Sequence, residues 1–435
     1  MKIIIVGAGL GGLCAAFGFA RKGHQIRVLE QRPDLIPAGG ALNIRPGASK
    51  ILHSWGLGPD LRRVSADTPA NVFRNLATGE VATRAIATDI SEYPDWGTSR
   101  SVLIEMFYQK AKDAGAVITF NAPVTKVEDD GHAACVTLSN GERLEADLVL
   151  AADGIRSVIR DQILCETSQP IDPIITDVTL YGVSLTNEEM RNHPGLAPLM
   201  DQSYLNIYMS DGGLVHVTSR YNTTSGSYAA LFGVKGSTDQ RGLWDEKGDI
   251  DYVREMFKGA CPEIRTAIGV AKSCDRWRLA ELPDLPRWTS TEGRIVLLGD
   301  SAHAMQPSAA QGFSLIVEDI GVLEYLISQA SDPRADIKTI TSTWQEIRKA
   351  RCERIKAWAR HNTNLFTSRS KNLNPRSGEW QVKSLKDTKP DMNAEFSSGP
   401  FLKWAQGTDA IAEAEKYLRF ILGITPSGIE DTYEM

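Results

Sequence analysis

Three glycines near the start of the chain, Gly7-x-Gly9-x-x-Gly12, are the first residues whose spacing points to chemistry. They stand between an apolar β-branched run, KIIIV, and a helical segment, LCAAFGFARKG, which is the context a dinucleotide-binding turn requires. In that setting the backbone N–H groups of the turn and the helix N-terminus face a pyrophosphate, whose negative charge the helix dipole favours. A second strand, QIRVLE, ends at Glu30, about 20 residues on, where a carboxylate accepts hydrogen bonds from an adenosine ribose; a solvated strand-end acid is the alternative. This unit alone does not distinguish FAD from NAD.

Two later segments separate them. Residues 148–160 read LVLAADGIRSVIR, a buried strand ending at Asp153-Gly154 and followed by Arg156, Ser157 and Arg160. A further buried strand, RIVLLG, ends at Gly299-Asp300 and is followed by Ser301, Ala302, His303, Pro307, Gln311 and Gly312. With these three motifs in order, the chain resembles the group A flavoprotein monooxygenases, particularly the salicylate hydroxylase-like enzymes common in fungi. The likeness includes GGALNIRPGASKILHSWGL and a late W-x-x-x-x-D-A segment from Trp404 to Ala410, so it spans essentially the whole chain.

The resemblance implies FAD as cofactor, NADH or NADPH as reductant, and hydroxylation by O2 of an aromatic or polycyclic small molecule through a hydroperoxyflavin. It places Asp300 on a hydroxyl of the ribitol chain, Asp153 near the pyrophosphate where the nicotinamide approaches, and Arg100 against FAD. Gly40, Ala41, Gly299, Gly312 and Phe313 fall with the cofactor in the same way. The helix that starts near Gly312 would point N–H groups at the flavin, where partial positive charge stabilises the anionic reduced ring, and Pro307 fixes the loop before it. His303 reads as a structural, hydrogen-bonded residue.

The chain departs from the family pattern in several places. Ala310-Gln311-Gly312 replaces the usual Gly-Gln-Gly, and Ser314 stands where asparagine is frequent. Asn43 occupies a place where relatives carry Gln or His, and Arg45 replaces an uncharged residue. Where many relatives have a Tyr-Arg pair, this chain has Leu180-Tyr181-Gly182. Candidate substrate-side residues are therefore Asn43, Arg45, Pro307 and the LVHVTSRY strand. Alternation there puts His216 and Arg220 on one face and Tyr221 on the other, one of which is expected to line the pocket; an ordinary half-exposed sheet is the equal alternative. Arg45 or Arg220 is expected to pair with a substrate carboxylate or phenolate.

These residues need an α/β scaffold. We expect a Rossmann-type FAD-binding domain (1–171 and 283–365) interrupted by a mostly antiparallel substrate domain (172–282), and a helical C-terminal region (366–435) whose polar stretch 368–400 reads as a mobile loop. Length, 435 residues, is ample for two or three domains. A net charge of -6, spread along the chain, gives no footprint for nucleic acid or an anionic membrane. Gly7, Gly9, Gly11 and Gly12 interrupt the apolar N-terminus that would otherwise read as an export signal, which points to the cytoplasm, as a monomer or homodimer. Six cysteines lack any C-x-x-C spacing, so no zinc site, other metal site or redox pair is signalled.

Rival readings differ in single features. A disulfide-reductase type would need a second glycine fingerprint and a cysteine pair. A flavin halogenase would need W-x-W-x-I-P, whereas WRLAELP has one tryptophan. A flavin oxidase or dehydrogenase, a non-enzymatic flavin-containing binding or regulatory protein, and an epoxidase or Baeyer-Villiger monooxygenase all stay open at this point.

Overall fold

The computed structural model describes residues 1–36, 40–164, 171–200, 203–237, 246–367 and 380–421. Its first layer is a five-stranded parallel sheet in the order Ile295–Leu297, Leu148–Ala151, Lys2–Val6, Gln25–Leu29, Val117–Thr119. Parallel sheets are covered on both faces, and all residues of Leu148–Ala151 and Ile295–Leu297 are buried accordingly. The helix Leu10–Ala20 packs between this sheet and the helices Arg100–Asp113 and Gly312–Gln329. It is apolar on all sides because it is buried on all sides.

The strands Val124–Asp129, Ala134–Leu138 and Arg143–Ala146 form a small antiparallel sheet before the chain re-enters the parallel one at Leu148. Its two connections turn at Gly131 and Gly141, as the Asp-Gly and Asn-Gly pairs predict.

The second large sheet has nine strands: Glu246–Lys247, Asp275–Glu281, Ile174–Leu185, Ser227–Lys235, Val215–Asn222, Leu205–Met209, Asn71–Asn75, Val81–Thr88, Trp380–Ser384. It is mostly antiparallel, with Leu205–Met209 parallel to Asn71–Asn75 and Trp380–Ser384 parallel to Val81–Thr88. The sheet is thus wider than the expected 172–282, taking two strands from before that span and one from after it. Trp380–Ser384 also corrects the expectation of a loop through 368–400; residues 368–379 lie outside the described residues. One face packs the helices Ile250–Met256 and Pro262–Val270 over Val183, Tyr208, Val217, Tyr221 and Phe232.

The charged text after residue 336 becomes one helix, Ile337–Phe366, whose charges are partly internal. Arg351 forks onto Glu318 at 2.7 and 2.9 Å and also donates to the carbonyls of Trp404 and Ala405. Arg348 donates to Asp319 at 2.8 Å. Buried ions of this kind persist only when paired and hydrogen-bonded, so the late Trp404–Ala410 segment is pinned to the Gly312 helix through Arg351. The five described cysteines are buried, and Cys165 lies outside the described residues.

Candidate functional site

The turn after the first strand is shaped by close backbone approach. A Cβ at Gly12 would lie 1.9 Å from the Gly7 carbonyl oxygen, and one at Gly7, whose φ is +104°, would lie 2.5 Å from that of Ala152. Gly9 is different: nothing in the protein lies within 4 Å of its would-be Cβ, although its backbone angles are open to any residue. Gly9 caps the Leu10–Ala20 helix with no side-chain acceptor, and that helix has no acid in its first turn. Its first N–H groups are thus presented outward beside open space, the arrangement that receives a phosphate. Glu30 stands over the same turn, accepting from Ala8 N–H at 2.7 Å and from Arg32 N–H at 2.9 Å.

The two later motifs converge on this place. Asp153 lies against Gly7, accepts from Ile159 N–H at 3.3 Å, and keeps its other carboxylate oxygen buried without a partner among the described residues. Burial pushes its carboxyl up from the ordinary range, against hydrogen bonds from Ser157 and Ile159. Gly11 and Gly299 both pack on Ile316, which brings the glycine turn, the Gly299-Asp300 motif and the Gly312 helix around one side chain. Asp300 is exposed and has no hydrogen-bond or ion-pair partner among the described residues. Arg100 is likewise exposed at the first residue of its helix, while its backbone N–H donates to Gly40 O at 3.0 Å and Ala41 pairs with Ser99. Gly312 has open space where a side chain would be, and its helix starts with neither acid nor side-chain cap. Phe313 contributes backbone only, since its ring is buried against Phe107 with centroids 5.9 Å apart.

The arginines behave otherwise than expected. Arg45 is buried and held at each guanidinium nitrogen: Nη1 donates to Asp95 at 2.6 Å, Nε to Ala310 O and Nη2 to Ala309 O at 3.2 Å each, and its backbone N–H to Ser314 Oγ at 3.0 Å. It holds the turn before the Gly312 helix, using three of its five side-chain N–H groups on protein acceptors. In that turn Ala310 sits at φ +50°, ψ +45°, a left-handed conformation that explains why glycine is usual at this position. Asn43 links Asp95, to which it donates at 3.1 Å, with Arg220, from which it accepts at 3.2 Å.

Arg220 extends from the nine-stranded sheet and lies flat against Gly97. Burial brings its pKa down to about 10, with Asp95 opposing the shift and Arg45 adding to it; its Nε and Nη1 have no partner among the described residues. His216 does share a face with Arg220. It lies over Gly233 and beside Phe366, and burial lowers its pKa to about 4, so it is neutral at ordinary pH. Tyr221 takes the opposite face and belongs to the helix-covered core, which removes it as a pocket candidate. Pro307 is exposed at the start of the short 3-10 turn Pro307–Ala309. Asp95, Gln311 and Ser314 complete the site; the first lies in SEYPDWGTS, text with no motif, where the only signal is an acid between Pro94 and Trp96 just before a strand.

His303 is structural, as expected: it is buried, with Nε2 2.7 Å from Asp319. Burial opposes its charge, but Cys352 and the Asp319 carboxylate outweigh it and raise the pKa well above the usual value. The His303, Asp319 and Cys352 cluster has a metal-like composition, yet Arg348 already occupies Asp319 with a positive charge.

An outward-facing glycine turn, a ribose-height carboxylate, and a lone exposed aspartate beside an uncapped helix fit an extended FAD. Comparison with known proteins agrees. A family model described as FAD binding domain matches residues 1–359, and the chain belongs to that family. It is 27% identical over 420 residues to the FAD-dependent monooxygenase OpS4 of Beauveria bassiana (strain ARSEF 2860), covering 95% of this chain and 96% of that one. It is 26% identical to a 6-hydroxynicotinate 3-monooxygenase of Pseudomonas fluorescens, covering 84% and 92%. A salicylate hydroxylase solved as a substrate complex superposes with a TM-score of 0.73 at 18% identity, covering 96% and 98%. The resemblance read from the three motifs, the α/β fold and FAD as cofactor are therefore borne out.

Proposed function

We propose that the protein is a FAD-dependent monooxygenase that uses NADH or NADPH and O2 to hydroxylate an aromatic or polycyclic small molecule. The observation that carries this reading is the juncture of a FAD-shaped cradle with an apolar sheet face. Leu205, Thr218 and Leu231 stay only half-buried in the middle of a nine-stranded sheet, flanked by buried Ile207 and Phe366, while Gly40 touches Leu231 and Asn43 reaches Arg220. Relatives named as an FAD-dependent monooxygenase and as a 6-hydroxynicotinate 3-monooxygenase support the same class.

When bound, FAD supplies electron transfer from the nicotinamide and activation of oxygen. The chain's own residues supply placement. The N–H groups after Gly9 take the pyrophosphate, Glu30 the ribose, and Asp300 a ribitol hydroxyl, with Asp153 beside the nicotinamide's approach. The start of the Gly312 helix directs partial positive charge at the ring, in a turn fixed by Arg45 and Pro307. The apolar face excludes water, and neutral His216 offers a hydrogen bond without a charge. In this reading residues 1–171 and 283–365 serve the cofactor, apart from the strands Asn71–Asn75 and Val81–Thr88, which join the nine-stranded sheet that serves the substrate. A cytoplasmic monomer or homodimer is the matching cellular form; among the described residues no helix is long and apolar enough to cross a membrane.

The test is NAD(P)H oxidation by the purified yellow protein against phenols, hydroxybenzoates, hydroxypyridines and indoles, with products weighed by mass spectrometry. A compound-stimulated rate and a product heavier by one oxygen atom are expected. Oxidised product without added oxygen would make the protein an oxidase or dehydrogenase instead.

A further inference from the structure

The contacts of Asp95 reach both sides of the juncture between the cofactor turn and the nine-stranded sheet. One oxygen accepts from Arg45 Nη1 at 2.6 Å and the other from Asn43 Nδ2 at 3.1 Å. Asn43 in turn accepts from Arg220 Nη2 at 3.2 Å. Two buried guanidinium groups, one from each side of the juncture, are thus served by a single acid, and a buried cation without one is strongly disfavoured. Among the described residues no other carboxylate is hydrogen-bonded to Arg45 or Arg220.

What Arg45 does with its remaining donors gives Asp95 its significance. The guanidinium forks onto the carbonyls of Ala309 and Ala310. Ala310 is in the left-handed region, where an alanine does not rest unaided, and two residues later the Gly312 helix begins. Fixing the two carbonyls fixes the direction in which the first N–H groups of that helix point.

We propose that Asp95 is a positioning residue for the cofactor: it holds Arg45 so that the Ala309-Ala310 turn keeps its strained shape, and through Asn43 and Arg220 it ties that turn to the substrate-side sheet. The inference rests on the reading that the Gly312 helix start faces the flavin ring. Glycine turn, Glu30 and Asp300 lie outside this chain of contacts, so Asp95 governs where the ring sits and not whether FAD binds.

The experiment compares Asp95→Asn, Asp95→Glu and Arg45→Lys as purified holoproteins, reading the visible absorption of bound FAD, its dissociation constant, and the share of NAD(P)H electrons recovered as hydrogen peroxide. Asp95→Asn keeps the shape and loses the charge. We expect FAD affinity within about tenfold of the parent, a displaced flavin absorption band, and a several-fold larger peroxide share. Asp95→Glu should recover most of the parental spectrum. Adding Ala310→Gly to Asp95→Asn should recover part of it, because glycine needs no restraint at positive φ. A parental flavin spectrum and peroxide share in Asp95→Asn would overturn the proposal whatever its melting temperature. If Asp95→Asn does not fold, Arg45→Lys decides, since lysine keeps the ion pair but not the fork, and an unshifted flavin band there is equally fatal. A parent protein that binds FAD but oxidises no NAD(P)H with any aromatic compound would sink the monooxygenase reading while leaving the spectral comparison intact.

Discussion

The glycine turn and the Arg45-Asp95-Asn43-Arg220 cluster handle polar groups in opposite ways. In the turn and beside it, the N–H groups just after Gly9, the exposed Asp300 and the space at Gly9 are left without protein partners among the described residues. In the cluster, side chains that look like ligands for an anion are spent largely on one another. Groups left free are available to bind, and groups paired internally are available to position. An arginine close to a site is thus no guide to its role until its own partners are known.

The sharpest way to break this comparison is to vary two glycines of one turn. Gly12→Ala sets a methyl 1.9 Å from a backbone oxygen that cannot move away, and we expect a loss of more than about 4 kcal/mol or no folded protein. Gly9→Ala meets nothing in the protein, so the apo form should melt as the parent does, within roughly 0.5 kcal/mol, while FAD affinity falls at least about 100-fold. Differential scanning calorimetry without FAD and flavin titration with it separate the two. Equal FAD affinity in Gly9→Ala would mean that the open space is not the cofactor's.

The cluster responds in the other direction. Arg45→Ala strands Asp95 and two turn carbonyls, and should cost about 3 kcal/mol in urea unfolding. Its effect on substrate binding should be the same for carboxylate-bearing and neutral ligands of similar size. Selective loss of anionic ligands with stability unchanged would restore Arg45 as a substrate contact and erase the distinction drawn above.

How much of this was legible in the sequence follows from range. The dinucleotide turn is dictated within about 30 residues of chain, so Gly7, Gly9, Gly12 and Glu30 could be read directly. Period-two alternation correctly sent Tyr221 and Arg220 to opposite faces, but it carries no information on what covers each face. The width of the nine-stranded sheet was hidden because Asn71–Asn75 and Val81–Thr88 find partners far along the chain, at Leu205–Met209 and Trp380–Ser384. Asp95 was invisible for the same reason: its meaning lies entirely in residues at positions 43 and 45, and through Asn43 in Arg220.

His216 tests the substrate-side face by pH. Burial has depressed its pKa from 6.5 to about 4, so the unfolded chain takes up the proton more readily than the folded one. Its contribution is therefore intact above pH 6.5 and is lost as pH falls toward 4. By pH 5 this amounts to roughly 2 kcal/mol, which His216→Leu should abolish, flattening that part of the stability profile in urea titrations. An unchanged profile would show that the imidazole is solvated, and the face more open than its burial indicates.

The smallest expected effect probes the seam between the two regions. Ala310 sits at φ +50°, where a non-glycine residue is disfavoured by about 1–2 kcal/mol, so Ala310→Gly removes that strain. Glycine also gives the unfolded chain more freedom, which cancels part of the gain, and the net should be stabilisation of about 0.5–1 kcal/mol. The accompanying flavin spectrum matters more than the size. If Arg45 imposes the turn on an unwilling alanine, glycine raises the melting temperature and leaves the bound flavin's spectrum unchanged while Asp95 is intact. If the turn instead relaxes without a side chain, the melting temperature rises and the flavin spectrum moves, which would mean that the Ala310 methyl group, and not the Arg45 fork, holds the helix start in place.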